Sequence, residues 1–172
     1  VEMQPDKGPS GEGPDRVATP EADPAHGVVL TELLSHMLRR AHFEAEALFA
    51  PSYPGLNVTS RQLAILFTIA RYPGASQSFI ADQVGLDANT FSDLADRSHR
   101  KGLIRKHRLD SDRRSVGLHL TELGSQTIAA AAPLTVAYQA RLAKNLSPEE
   151  AAQLVQLLRR FLGFTGRVGS SQ

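Results

Sequence analysis

From Val28 onward apolar residues recur at helical spacing. Leu30, Leu33, Leu34, Met37, Leu38 and Ala41 are followed by Phe43, Ala47 and Leu48, and Pro51 with a "YPG" triplet ends the run. The pattern predicts a long first helix over residues 28 to about 50. Thr59 with Gln62 has the spacing of a capping box, in which each residue's side chain satisfies the other's backbone N–H. It predicts a second helix whose buried face is Leu63, Leu66, Phe67 and Ala70, ended by a second "YPG" at 72 to 74. Ser76 is placed to cap a short third helix carrying Phe79, Ile80 and Val84, with Gly85 as its left-handed C-cap. Asp87 then caps a fourth helix that sets Phe91, Leu94, Ala95 and Ser98 on one face and ends at Gly102.

Beyond Gly102 the period changes from helix to strand. "LIRKHRL" and "SVGLHLT" flank a polar turn, "DSDRR", with Leu103, Ile104, Val116, Leu118 and Leu120 as the apolar positions. Two helices joined by "GLD" and followed by a hairpin predict a winged helix-turn-helix. A fifth helix is predicted from Thr121 through Ile128, with Pro133 bending it. "SPEE" at 147 to 150 opens a sixth, with Ser147 as cap, Pro148 first in the helix and Glu150 completing a capping box. Leu154, Leu157, Leu158, Phe161 and Leu162 make its stripe too broad for so small a winged domain to cover, which predicts a partner subunit. The fold class expected is therefore mainly α with a small β-hairpin wing, a winged helix-turn-helix with long helices before and after it; the resemblance described below makes these the N- and C-terminal dimerisation helices.

Composition narrows the function. The chain has 172 residues, a net charge of +1 and no cysteine, which removes thiol catalysis, disulfides and thiolate metal sites. Residues 1 to 26 carry five prolines and few large apolar residues, the composition of a flexible tail. No apolar run approaches the ~20 residues of a membrane span and no signal-like segment opens the chain, so a soluble, cytoplasmic protein is expected. Against near-neutrality overall, residues 97 to 114 hold Arg97, Arg100, Lys101, Arg105, Lys106, Arg108, Arg113 and Arg114 against Asp110 and Asp112. Positive charge concentrated on one supersecondary unit is the footprint of a surface that meets phosphates.

Residues 59 to 124 resemble the winged helix-turn-helix core of the multiple-antibiotic-resistance regulator (MarR) family. The most specific piece is "KGLIRKHRLDSDRRSVGLHLTELG", with an Asp, two basic residues, alternating apolar positions, then Leu-Thr and a Gly. The resemblance implies a MarR-like domain over 27–172, with a winged helix at about 56–121 and dimerisation helices at about 28–50 and 122–163. It implies a homodimer that binds a pseudo-palindromic double-stranded DNA operator as a ligand-responsive regulator, here a repressor, and no enzymatic activity. The fourth helix would lie in the major groove with Ala88, Asn89, Thr90, Ser92, Asp93 and Arg97 towards the bases and Arg100 and Lys101 at its far end. Asn89 and Arg97 suit adenine and guanine readout, and either Asp93 or Asp96 would orient Arg97, or Asp93 would accept from a cytosine amino group. Ser76 and Gln77 join the DNA-facing set. In the wing Arg114 is by resemblance the arginine inserted in the minor groove, held by Asp112, while Arg113 meets phosphate or shares the groove. Where the family has Leu on the inner face of the fourth helix this chain has Ser98, which predicts a bond to the carbonyl four residues earlier and looser packing.

The resemblance implies that the effector is a small aromatic acid or phenol, bound between the dimerisation helices and the winged domain. On the first helix His36, Arg39, Arg40 and Phe43 lie within three or four residues of one another, a cation-and-ring pattern that suits an aromatic carboxylate. Surface arginines paired with Glu44 or Glu46 are the plain alternative. A metal-responsive regulator would have to use His36, His42, His99, His107 or His119, which form no close ligand pattern, so neither a metal nor a cofactor is expected. No phosphate loop or activated nucleophile points to an enzyme. The other alternative is a winged-helix module that binds protein and not DNA, against which the basic wing argues.

Overall fold

The computed structural model describes residues 27–109 and 112–164, with backbone only at 108–109 and 112–115. The proposed tail, residues 1 to 26, lies outside the described residues. The chain divides into two units, residues 1–39 and 40–172. In the first, a 3-10 turn, Leu30–Glu32, is flanked by Val29 and Leu33 in extended conformation. Helix α1, Leu34–Ser52, follows and continues into the second unit. The expected helix from residue 28 is thus corrected at its start. Apolar spacing runs straight across Leu33, but its backbone, at φ −84° and ψ 119°, is not helical. At its other end α1 passes through Pro51. The Tyr53 N–H still donates to the Phe49 carbonyl at 3.2 Å, so proline removes a donor only in the final turn.

Helix α2, Ser60–Arg71, opens with the expected capping box: Gln62 N–H donates to the Thr59 hydroxyl and Thr59 N–H to the Gln62 side chain, both at 3.2 Å. Its expected single face is corrected. Ile65, Leu66 and Ile69 are fully buried on one side, Leu63 is buried on another, and Ala70 is exposed. The reason is position: α2 lies between two apolar clusters and is covered by both.

Helix α3, Gln77–Val84, is capped by Ser76, and α4, Ala88–Arg100, by Asp87. Gly85 between them has φ +69°, a left-handed turn that only glycine adopts without strain. Phe79, expected inside, is 40% exposed and rests edge-on against Tyr72, while Ile80 and Ala81 are the buried pair of α3.

Strands β1, Ile104–Leu109, and β2, Asp112–Leu120, form an antiparallel two-stranded sheet. The register pairs Ile104 with Leu120, Lys106 with Leu118 and Arg108 with Val116, then shifts so that Leu109 faces Asp112. The expected turn over 110 to 114 is therefore shorter, because Asp112, Arg113 and Arg114 already belong to β2. The wing is also tied to the second "YPG" segment, where Gly74 N–H donates to the Leu118 carbonyl, Leu118 N–H donates to the Ala75 carbonyl and Ser76 bridges Gly117. A side chain at Gly117 would meet the His107 ring and come within 2.7 Å of the Gly74 carbonyl oxygen, so the close approach needs glycine there.

Helix α5, Glu122–Leu142, is continuous with Pro133 inside it, and α6, Pro148–Phe161, has the expected Ser147–Glu150 capping box. The main core joins α2, α3, α4 and the wing through Ile65, Leu66, Ile69, Ile80, Phe91, Ala95, Ile104 and Leu118. The smaller one packs Phe49, Tyr53, Leu63 and Ala131, with Tyr138 at its edge. Helix α6 contributes to neither and has no buried residue; Leu154, Leu157, Phe161 and Leu162 are between 45% and 62% exposed. Among the described residues no helix is long and apolar enough to cross a membrane.

Candidate nucleic-acid interface

Helix α4 is built to present one face. Phe91, Ala95 and Ser98 are buried, which turns Ala88, Asn89, Ser92, Asp93 and Arg97 outward, all exposed. Its start is fixed by Asp87, whose carboxylate accepts the N–H groups of Asn89 and Thr90 at 3.1 and 3.0 Å and the Thr90 hydroxyl at 2.6 Å. These bonds, the Thr90 hydroxyl first, hold the Asp87 carboxyl below the usual carboxylate range. Thr90 is consequently half-buried and engaged in the cap, unlike its exposed neighbours Asn89 and Ser92.

The acidic residues of α4 divide the roles that the sequence left open between them. Asp93 grips Arg97, Oδ2 to Nη2 at 2.6 Å and Oδ1 to Nε at 3.2 Å, with both side chains more than half exposed. Asp96 instead takes the ammonium of Lys106 on β1. That bond, reinforced by the charges of Lys106, Arg100 and His99, keeps the Asp96 carboxyl below its ordinary range. It also ties the wing to α4, a long-range pair that no spacing in the sequence announces.

Lys101 is the C-cap of α4 and turns back from the helix end. Its ammonium donates to the Asn57 carbonyl at 2.7 Å and lies 3.4 Å from the Gln62 Oε1. Of the eight clustered cations, Arg97 and Lys106 are thus matched by carboxylates and Lys101 by neutral oxygens, while Arg100 and Arg105 are exposed. The local field is weaker than the raw charge run suggests. Ser76 spends its hydroxyl on the cap of α3, accepting from Phe79 N–H at 3.2 Å, and Gln77 beside it is half-buried. The side chains of Asp112, Arg113 and Arg114 lie outside the described residues.

Behind the interface, Ser98 is fully buried and donates to the Leu94 carbonyl at 2.8 Å, as expected. The looser packing expected there is corrected. The Gln62 amide, also buried, fills the space and donates to the Ser98 hydroxyl at 3.3 Å. A buried polar pair replaces an apolar contact, and no buried side-chain polar atom is left unpaired among the described residues.

On α1, His36 is half-buried and Arg39 exposed in the first unit, and Arg40 and Phe43 are exposed in the second, Phe43 lying 6.0 Å from the His42 ring. Glu46 accepts the Ser60 hydroxyl at 2.6 Å and Glu44 stands 3.9 Å from Lys144, so both carboxylates have other partners. His107 and His119 do come together in the wing, ring centres 4.5 Å apart, but no group of three or more metal-binding side chains forms among the described residues.

A capped helix offering a polar face, backed by a hairpin tied to it, defines a winged helix-turn-helix DNA-binding protein. Residues 58–116 match the family model described as MarR family. The protein assigned as transcriptional regulator for the hcr operon of Thauera aromatica is 31% identical over 81% of this chain and 84% of its own. Regulator HosA of Escherichia coli O157:H7 is 28% identical over 74% of this chain and 93% of its own. The PcaV regulator from Streptomyces coelicolor, solved with its natural ligand, superposes with a TM-score of 0.74 at 27% identity, covering 80% of this chain and 96% of that one. The repressor CouR bound to a 23-mer DNA duplex gives a TM-score of 0.72 at 30% identity over 77% and 94%. The chain belongs to the MarR family of DNA-binding transcriptional regulators.

Proposed function

We propose that the protein is a ligand-responsive repressor that binds a pseudo-palindromic operator as a homodimer and is released by a small aromatic acid or phenol. The observation that carries the DNA reading is the outward face of α4, with Asn89 and the Asp93-held Arg97 free of the core that fixes the opposite face. In this reading α4 enters the major groove, Asn89 and Arg97 read base edges, Ala88, Ser92 and Thr90 line the contact, and Arg100, Ser76 and Gln77 touch the backbone. Arg114 enters the adjoining minor groove, oriented by Asp112, and Arg113 meets phosphate. Two such helices per operator require a dimer, and the uncovered stripe of α6 supplies the apolar surface for one.

Support for repression and for an effector comes from relatives: the repressor NicR of Pseudomonas putida is 25% identical over 77% of this chain, CouR is a repressor, and PcaV has a natural ligand. For the effector we assign α1, with Arg39 and Arg40 as carboxylate anchors and His36 and Phe43 as rings. The test is selection of bound duplexes from random DNA, followed by a screen of aromatic acids for release of the best one. The expected result is a palindrome with half-sites about 10 base pairs apart, steep salt dependence and a dimer in sedimentation. Replacing Arg39 or Arg40 by Ala should spare DNA binding and weaken release. A monomer at micromolar concentration, or salt-independent retention without sequence preference, would instead favour a protein-binding winged helix.

A further inference from the structure

We infer that His107 and His119, brought together on one face of the wing, bind a divalent transition-metal cation of the Zn²⁺, Ni²⁺ and Cu²⁺ class. The site is independent of the operator and the effector proposed above. Hairpin register creates it. His107 pairs with Gly117 and Arg105 with His119, so the two histidines sit diagonally on the face away from the buried Ile104 and Leu118. Their ring centres are 4.5 Å apart. Two imidazoles bound to one ion at about 2.1 Å, at a right-angled to tetrahedral ligand angle, hold their centres about 4.5–5 Å apart. The observed separation meets that requirement.

Glycine makes the room. The Cε1–Nε2 edge of His107 lies over Gly117, where a Cβ would come within 2.4 and 2.8 Å of those two atoms. The same edge of His119 faces Gly74: a Cβ there would stand 3.3 Å from His119 Nε2 and 4.0 Å from His107 Cε1. Both rings thus turn their Nε2 edges to one notch where Gly74 crosses Gly117. Neither ring is spent on the protein. Among the described residues neither forms a hydrogen bond or an ion pair, whereas the His99 ring is engaged with the Ile104 carbonyl at 3.0 Å.

The donor set selects the ion. No carboxylate or third histidine joins the pair among the described residues, so water completes the coordination. Imidazole nitrogen suits Zn²⁺, Ni²⁺ and Cu²⁺, whereas Mg²⁺ and Ca²⁺ need oxygen ligands. Arg105, opposite His119 in the register, brings a like charge, so affinity rests on the two nitrogens and stays well below that of a closed four-ligand site. An ion held by both rings joins β1 to β2 just before the register shift between Arg108 and Leu109, which braces the hairpin against splaying.

The test is a Zn²⁺ titration of the full chain, first cleared of metal with a chelator, followed by NMR of the histidine ring nitrogens, with Mg²⁺ as the control. The expected result is that the Nε2 resonances of His107 and His119 shift together and saturate, with a Kd on the order of 1–100 μM, and that Mg²⁺ moves neither. His107→Gln and His119→Gln should each weaken binding about tenfold or more, while His36→Gln/His42→Gln leaves it unchanged. If His119→Gln alters the whole spectrum, the variant at the exposed His107 decides. Separate midpoints for the two rings, an equal response to Mg²⁺, or affinity that survives His107→Gln would overturn the site. So would ring resonances that stay unmoved up to about 1 mM Zn²⁺.

Discussion

Asp93 and Arg97, one turn apart on the exposed face of α4, are joined by two hydrogen bonds, so the arginine best placed to read a base is already held by a carboxylate. The pair is too exposed to matter much to stability. In the proposed complex its effect falls on DNA: Asp93 orients the guanidinium but also brings a negative charge towards the phosphates. Asp93→Asn should therefore leave thermal stability unchanged, tighten binding to all duplexes and relax discrimination at the base pair that Arg97 meets. Arg97→Ala should cost about 1–3 kcal/mol on the preferred site and much less on others. Affinities measured at several salt concentrations check both. Unchanged binding by Asp93→Asn at every salt would show that Asp93 does not govern Arg97.

Ser98 and Gln62 form the polar patch behind that face, and both are buried. Ser98→Ala removes the acceptor for the Gln62 amide and should cost about 1–3 kcal/mol. Restoring an apolar residue, Ser98→Leu, should also destabilise, by about 1–3 kcal/mol, because Gln62 already occupies the space. Combining Ser98→Leu with Gln62→Ala should recover part of that loss. Denaturant midpoints of the four proteins give the comparison, and a Ser98→Leu variant as stable as the parent would mean that the space is empty after all.

Features carried by neighbours in the chain were legible in the sequence. The caps at Thr59, Ser76, Asp87 and Ser147 each rest on residues two or three apart, and the structure has all of them. The break at Leu33 and the two-sided burial of α2 were not legible. Hydrophobic spacing reports neither a local change of ψ nor how many elements cover a helix. Within the candidate site, the outward face of α4 followed from its period. The Asp96–Lys106 pair, the Lys101–Asn57 contact and the Gly74–Leu118 tie did not, because each joins segments that only the fold brings together.

His119 carries a pH dependence of the wing. Burial first, then the charges of His107 and Arg105, push its imidazole below the ordinary value near 6.5. The folded protein thus takes up this proton less readily than the unfolded chain. Stability from the neutral ring is complete above the ordinary value and is lost as pH falls through about 6.5 towards the depressed folded value. Thermal midpoints taken at about pH 7.5 and about pH 5.5 should differ less for His119→Gln than for the parent. An equal drop in both would assign the acid sensitivity to other groups.

The last expectation separates the arginines of the wing. In the proposed complex Arg114 enters the minor groove, where narrow A·T-rich DNA concentrates negative potential, while Arg113 meets phosphate, whose charge is the same in every sequence. Arg114→Ala should then lose affinity chiefly on operators with A·T-rich flanks, by about 1–3 kcal/mol, and little on G·C-rich flanks. Arg113→Ala should weaken both alike and reduce the salt dependence by about one counterion. Asp112→Ala should follow the pattern of Arg114→Ala at smaller amplitude, since it only releases the arginine from one orientation. The three variants are compared on A·T-flanked and G·C-flanked forms of one operator at fixed salt. Equal losses for Arg114→Ala on both flanks would make the wing a phosphate clamp, and base discrimination would then rest on α4 alone.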